Sequence, residues 1–500
     1  MEAYKELIRR VREARLLGSC AAVLGWDQRT YMPAKGALHR AQQLALLAGM
    51  VHEQTTAPEI GGLLDEIEGS ELVREGDSAA AVNVREIRRR YDRACKLPRA
   101  LVTELARTCT LARDVWVQAR RSSDFALFRP WLEKIVALKR QEAESVGYAG
   151  AAYDALLDDY EPGETSAHLA TLFSDLREEL VGLVAAIQAS GRRPDNSVLH
   201  REYPVDRQEG FGRAAAAMIG FDFAAGRLDE TAHPFCSGIG PGDTRLTTRY
   251  DSRDFGDAFF SILHEAGHGI YDQGLDPAHY GTPMGAAVSL AIHESQSRLW
   301  ENFVGRSRAF WEHVFPQARR SFPEALADVS LDAFYYAIND CRPSFIRVDA
   351  DEVTYNLHVL LRFELEQALI SGDLPAADVP AAWNEAFTRY FGLTPPDDAQ
   401  GCLQDTHWSG GAVGYFPTYT LGNLYAAQFF AQASVDLGGL DEPFRRGEFA
   451  PLKEWLTTKI HRHGQRHRAA DLVAAVTAEP LSPRFFLDHL RAKFGPLYGI

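Results

Sequence analysis

No run of about 18 consecutive apolar residues occurs anywhere in this chain, so a membrane-spanning helix is not expected. The opening stretch MEAYKELIRRVREARLLG is charged throughout and lacks the apolar centre of a secretory leader. Paired cysteines are missing as well. Cys20, Cys95, Cys109, Cys236, Cys341 and Cys402 stand singly with no CxxC, which excludes a dense disulfide framework and a cysteine zinc site and fits reduced thiols. Nor is there an excess of positive charge: 53 Lys and Arg against 68 Asp and Glu leave a formal charge of −15. A chain so acidic offers no basic face for nucleic acid or anionic membranes. Internal repeats and low-complexity tracts are absent too. These absences together predict a cytoplasmic protein with neither nucleic acid nor membrane as partner.

What is present is ordinary globular material: 46% hydrophobic and 24% charged residues over 500 positions, enough for a large core. Apolar residues recur at spacings of three and four from the N-terminus to about residue 188, as in HLATLFSDLREELVGLVAAIQ, which predicts helices. The polar stretch ASGRRPDNSVLHREYP, residues 189–204, breaks that pattern and is a candidate lobe boundary. After it, TAHPFCSGIGPGDTRLTTRYDSRD places Gly238, Gly240, Pro241 and Gly242 between short β-favouring runs, which reads as a small hairpin. Helical spacing resumes near Phe255 and continues to the C-terminus, with an aromatic-rich interruption around 404–420. The expected fold is mainly α, with one small hairpin or sheet beside the helix that begins there.

That helix contains SILHEAGHGIYDQG. In an α-helix, positions four apart lie one turn up and roughly 40° round, so His264 and His268 can reach one ion together. Glu265 stands about 100° aside, where a carboxylate could take a proton from water on the metal. This is the division of labour in HExxH. Ile262, Leu263, Ala266, Ile270 and Tyr271 supply helical spacing, and Asp254 or Asp257 could cap the start. Gly267 and Gly269 are poor helix formers that a solvated surface helix has little reason to carry, but they suit close approach of another backbone.

A zinc site needs a third protein ligand. The segment MGAAVSLAIHESQSRLWENF follows after the loop GLDPAHYGTP, and the interval from His268 to Glu294 is 294 − 268 = 26 residues, room for a loop and a return helix. Glu294 is the expected ligand. Glu301, two turns on, is its competitor, and His293 points about 100° away from Glu294. A second histidine cluster, KIHRHGQRH, sits among Lys459, Arg462 and Arg466 with no carboxylate and is expected to be a solvated basic face rather than a metal site.

HPF at 233–235, DTRLT at 243–247, HEAGH at 264–268, HESQ at 293–296, IRVDAD at 346–351 and GCLQDTHW at 401–408, with WDQRTYMP at 26–33, resemble in order the motif set of the carboxypeptidase Taq family. The resemblance spans most of the chain. It implies a helical, metal-dependent carboxypeptidase, residues 1–500 forming one such domain, with a deep groove between lobes and a homodimeric state.

The residues suit that chemistry. Zinc held by His264, His268 and Glu294, with cobalt or manganese as substitutes, would acidify a water and polarise the scissile carbonyl. Glu265 would move the proton to the leaving amine. His407 and the tyrosines Tyr415 and Tyr419 of GYFPTY are candidates for the second oxyanion donor, the bland alternative for the tyrosines being core packing. The free C-terminal carboxylate of a peptide substrate calls for a guanidinium, and Arg347 is the expected one. Arg245 could meet the substrate further from the cleaved bond or simply pair with Asp243, while His233 is expected to shape the groove floor. An endopeptidase or dipeptidase with the same zinc centre, and a silent peptide-binding scaffold, are the alternatives.

Overall fold

The apolar spacing around HEAGH does form a helix, Phe255–Gly274, in the computed structural model, which describes residues 2–500. Asp254 caps it, its side chain accepting from the N–H groups of Gly256 and Asp257. Phe255, Phe259, Ile262, Leu263, Ala266 and Ile270 are buried, a helical stripe in which each large apolar side chain contributes on the order of 1.5–3 kcal/mol by leaving water. The first two belong to an aromatic cluster: Phe255 packs on Phe259 at 5.3 Å between ring centroids, and Phe322, Trp311 and Phe334 surround the pair. The further end of the helix lies against a small sheet.

That sheet has three strands, β1 (Gly226–Glu230), β2 (Cys236–Gly240) and β3 (Asp243–Thr248), in the order β1-β3-β2. Strands β2 and β3 form the expected hairpin around Pro241 and Gly242, with a register shift between Gly238 and Gly240. The third strand was not expected. β1 runs parallel to β3, pairing Gly226 with Thr244 and Glu230 with Thr248, and its charged sequence GRLDE carries little strand signal.

By packing, the chain falls into two units. One holds the chain up to Cys95, Asp195–Ile338 and Tyr425–Pro480, and contains the sheet and the HEAGH helix; the other holds Lys96–Pro194, Asn339–Leu424 and Leu481–Ile500. In the second unit the helix Thr354–Ser371 has 14 of its 18 residues buried, so it runs through the interior instead of along a surface. Its buried polar groups therefore need partners. Glu366 accepts from Tyr153 Oη, Trp408 Nε1 and the Gly414 N–H, tying the segment after GCLQDTHW to this helix. No helix of the described residues is long and apolar enough to cross a membrane, and all six cysteines are free.

Just before the start of the Thr354–Ser371 helix, Glu352 meets Lys493 at 2.6 Å and His489 at 2.8 Å, with both carboxylate and ammonium buried. Burial alone would raise this carboxyl, but Lys493 and His489 prevail and hold it at about 2. A depressed carboxylate stabilises the fold above its unfolded value near 4.5 and loses that contribution as pH falls towards 2. Glu352→Gln, which strands the lysine, is expected to cost about 3 kcal/mol at pH 7 in urea unfolding, with the gap to the parent protein narrowing below pH 4.5.

Candidate metal centre

The second helix of the site, Leu290–Arg298, starts from a Ser289 cap whose hydroxyl accepts from the Ile292 N–H, and continues as one wide turn over Leu299–Val304. It approaches the HEAGH helix so closely that a Cβ on Gly267 would stand 2.6 Å from both the carbonyl oxygen of Gln296 and Cα of Ser297. Glycine is the residue that permits such backbone contact. The approach brings Glu294 Oε2 to 3.4 Å from His268 Nε2 and 3.7 Å from His264 Nε2. One donor atom from each of His264, His268 and Glu294 lies within 4.8 Å of the others.

The far sides of the two rings are engaged. His264 Nδ1 is 2.9 Å from Glu301 Oε2, and His268 Nδ1 is 3.1 Å from the carbonyl oxygen of His293. Each Nδ1 therefore donates, leaving the Nε2 lone pairs to face Glu294. Glu301, the competing ligand, instead sits behind His264. Arg298, one turn from Glu294, reaches Glu294 Oε1 at 2.7 Å and Glu301 Oε2 at 3.3 Å. Burial works upward on the Glu294 carboxyl, but Arg298 and the imidazoles outweigh it and hold it well below the usual carboxylate range. Burial pulls His268 down to about 4, so this ring is neutral at pH 7. Two imidazole nitrogens and a carboxylate oxygen are a fitting set for zinc or a similar divalent ion. Buried Glu265 stands beside them, lifted to about 7 by its burial, with His264 opposing and Glu294 and Glu301 adding to the rise.

KIHRHGQRH forms the solvated face expected of it only in part: Lys459 and Arg462 are exposed, but one of its histidines is not. His461 is fully buried, its Nε2 3.0 Å from Gln296 Oε1 and its ring 4.8 Å from that of Tyr271, because the segment packs behind the HEAGH and HESQ helices. No carboxylate joins it, and it supplies no metal cluster among the described residues. Also in the first unit, Arg245 pairs with Asp243 through Nε and Nη2, both at 2.8 Å, and lies 4.3 Å above the Trp26 ring. His233 is exposed in the segment leading into β2.

In the second unit Arg347 is buried, with Nη2 2.8 Å from Asp405 Oδ1 and Nη1 2.8 Å from Tyr355 Oη. Arg362 reaches the same carboxylate, its Nη2 2.6 Å from Asp405 Oδ2. Sequence reading missed Arg362 and Asp405 as partners. The hints were an arginine in the largely apolar run HVLLRF, residues 358–363, and an aspartate inside the motif GCLQDTHW. Close to the Arg347 side chain is Tyr419, whose Oη is 3.4 Å from His407 Nε2, and the His407 ring packs on Phe416 at 4.5 Å and Tyr415 at 5.4 Å. Burial draws His407 down to about 4, and its Nδ1 has no hydrogen-bond partner among the described residues.

Two imidazoles and a carboxylate converging beside a buried glutamate are the donor set of a HExxH metallopeptidase. The model of the family described as carboxypeptidase Taq (M32) metallopeptidase matches residues 6–494. Thermostable carboxypeptidase 1 of Thermus thermophilus is 50% identical over 507 residues, covering 99% of each chain, and carboxypeptidase 1 of Bacillus subtilis is 39% identical over 99% of this chain and 98% of its own. Among solved structures, the M32 carboxypeptidase from Deinococcus radiodurans R1 superposes with a TM-score of 0.97 at 40% identity over the whole of both chains. The chain belongs to the carboxypeptidase Taq (M32) family and is a metallocarboxypeptidase.

The Gly267 contact gives a direct test. Gly267→Ala is expected to force the two helices apart, lowering stability by about 1–3 kcal/mol and weakening retention of a bound divalent ion against a chelator.

Proposed function

We propose that the protein removes single residues from the free C-termini of peptides, with His264, His268 and Glu294 as the ligands of a zinc ion and Glu265 as the base. The observation that carries this reading is the convergence of the two Nε2 atoms and Glu294 Oε2 beside Glu265. A divalent ion held there supplies Lewis acidity, polarising the scissile carbonyl and acidifying a water. Glu265 takes the proton of the attacking water at its carboxylate and hands it to the leaving amine; a carboxyl near 7 is matched to both halves of that task. Zinc suits two imidazoles and a carboxylate, and cobalt and manganese are substitutes.

Arg347 receives the terminal carboxylate. Its contacts with Asp405 and Tyr355 use Nε, Nη2 and Nη1, and a guanidinium has five N–H donors, so one hydrogen on each terminal nitrogen is left for a bidentate partner. Arg347 and Arg362 against Asp405 sum to 2 − 1 = +1, which favours an anionic ligand. His407, neutral and with Nδ1 unsatisfied, is the second donor to the oxyanion, steadied by Tyr419 and Tyr415. Arg245, committed to Asp243, acts at most by orienting a longer peptide, and exposed His233 lines the approach. All 500 residues act as one catalytic domain. Free thiols support a reducing, cytoplasmic setting, and family resemblance supports a homodimer, which sedimentation would reveal as a species of twice the chain mass.

Hydrolysis of N-blocked short peptides tests the reading. Glu265→Gln is expected to lower kcat by about 10²–10⁴ with metal still bound. The free acid should be cleaved and its C-terminal amide not; cleavage that ignores amidation would indicate an endopeptidase. Arg347→Met is expected to abolish the preference for the free acid over the amide, lowering kcat/KM for the acid by roughly 10²-fold.

A further inference from the structure

His293 and Asp272 have no part in the chemistry above, yet they continue the line of contacts behind His268. His268 Nδ1 is 2.6 Å from His293 Nδ1, the rings are 4.6 Å apart between centroids, and His293 Nε2 is 3.0 Å from Asp272 Oδ1. We propose that Asp272 and His293 are positioning residues that fix the tautomer and orientation of His268, an inference that rests on His268 being a metal ligand.

Two nitrogens at 2.6 Å share one hydrogen, so one donates and the other accepts. If Nε2 of His268 is the ligand atom, its hydrogen sits on Nδ1, and His293 must present a bare Nδ1. The hydrogen of His293 then lies on Nε2, where Asp272 accepts it. Any form of His293 with a hydrogen on Nδ1 would oppose the His268 hydrogen and drive it to Nε2, the atom that has to face the ion. The His293 carbonyl oxygen, 3.1 Å from the same Nδ1, favours that tautomer as well, and Asp272, by accepting at Nε2, keeps the His293 ring in register with it, acting on a ring it does not touch. Helix geometry places it to do so: Asp272 is one turn beyond His268 on the same helix, and His293 is the residue before Glu294.

The position of Asp272 is itself shaped by the sheet. A Cβ on Gly238 of β2 would stand 2.4 Å from Asp272 Oδ2, so only glycine leaves the carboxylate where it is. Cys236 Sγ faces the same oxygen at 4.0 Å. On its open side Asp272 borders a cavity of about 180 Å³, shared with Arg15, Asp276 and Tyr280. The line of contacts from His268 thus ends at a space that admits water or a small anion.

That cavity provides the test. Zinc affinity of the full-length protein is measured by chelator competition for the parent, Asp272→Ala, Asp272→Asn and Gly238→Ala, with the melting temperature of each metal-free protein. Asp272→Ala is expected to bind zinc about 10–100-fold more weakly, with the metal-free melting temperature within a few degrees of the parent. Asp272→Asn, whose carboxamide oxygen still accepts from His293 Nε2, should recover most of the affinity, and Gly238→Ala, which displaces an intact carboxylate, should lose it. Added formate, small enough for the vacated cavity, should strengthen zinc binding by Asp272→Ala and leave the parent unchanged. Parent-like affinity in Asp272→Ala would overturn the proposal. Failure of the parent itself to bind zinc, or equal binding by His268→Ala, would overturn the reading of His268 on which it rests.

Discussion

The backbone contact at Gly267 is the constraint on which the centre depends. Packed helices ordinarily keep their axes 8–10 Å apart because side chains separate them. Here Gly267 leaves the peptide of Gln296 and the Cα of Ser297 within 2.6 Å of where a side chain would begin, so the HESQ helix is seated one layer deeper. From that depth Glu294 Oε2 stands 3.4 Å from one imidazole and 3.7 Å from the other. Glycine at two positions of a helix costs about 1 kcal/mol each in propensity, and the buried stripe of Phe255, Phe259, Ile262, Leu263, Ala266 and Ile270 more than offsets it.

Close seating also forces charge into a confined volume. The carboxyls of Glu265, Glu294, Glu301 and Asp272 outnumber the guanidiniums of Arg298 and Arg306, four against two, with Glu265 at about 7 only partly ionised at neutral pH. A divalent cation neutralises that surplus, which is a physical reason for this centre to take one. The raised carboxyl of Glu265 expresses the same surplus, since Glu294 and Glu301 add to its burial. Arg298, shared by Glu294 and by Glu301 behind His264, holds two carboxylates in different places: one faces the Nε2 atoms of both imidazoles and one the Nδ1 side of His264.

Much of this was legible in the sequence because helical periodicity is local. HEAGH at i and i+4, the Asp254 cap and the start of the helix at Phe255 all follow from spacing within a few residues, whereas the glutamate of HESQ was reached across a 26-residue interval from the need for a third ligand. What spacing could not supply was contact between distant segments. Nothing near 226–230 announces that GRLDE will pair with β3, and the helical angle that set His293 apart from Glu294 gave no sign that it turns towards His268 and Asp272. KIHRHGQRH was partly misread for the same reason: its charges suggest a wet surface, whereas His461 finds Gln296 and Tyr271 only once the helices have packed. Asp405 was likewise visible as part of a motif, but not as the anion between Arg347 and Arg362.

The two units hold charge centres of opposite sign. In one, carboxylates outnumber guanidiniums. In the other, Arg347 and Arg362 around Asp405 leave +1, and the division of labour between them follows from burial. Arg362 is almost wholly enclosed, donates Nε to Asp405 and Nη1 to the His358 carbonyl, and keeps Nη2 in ion-pair contact with the same carboxylate, which commits it to the fold. Arg347 uses only part of its fork on Asp405 and Tyr355. A lone arginine could bind a carboxylate, but an aspartate beside it would cancel the charge. With Arg362 supplying the compensating cation, Asp405 can hold Arg347 rigid and still leave a net positive charge, which is what the proposed role of Arg347 requires.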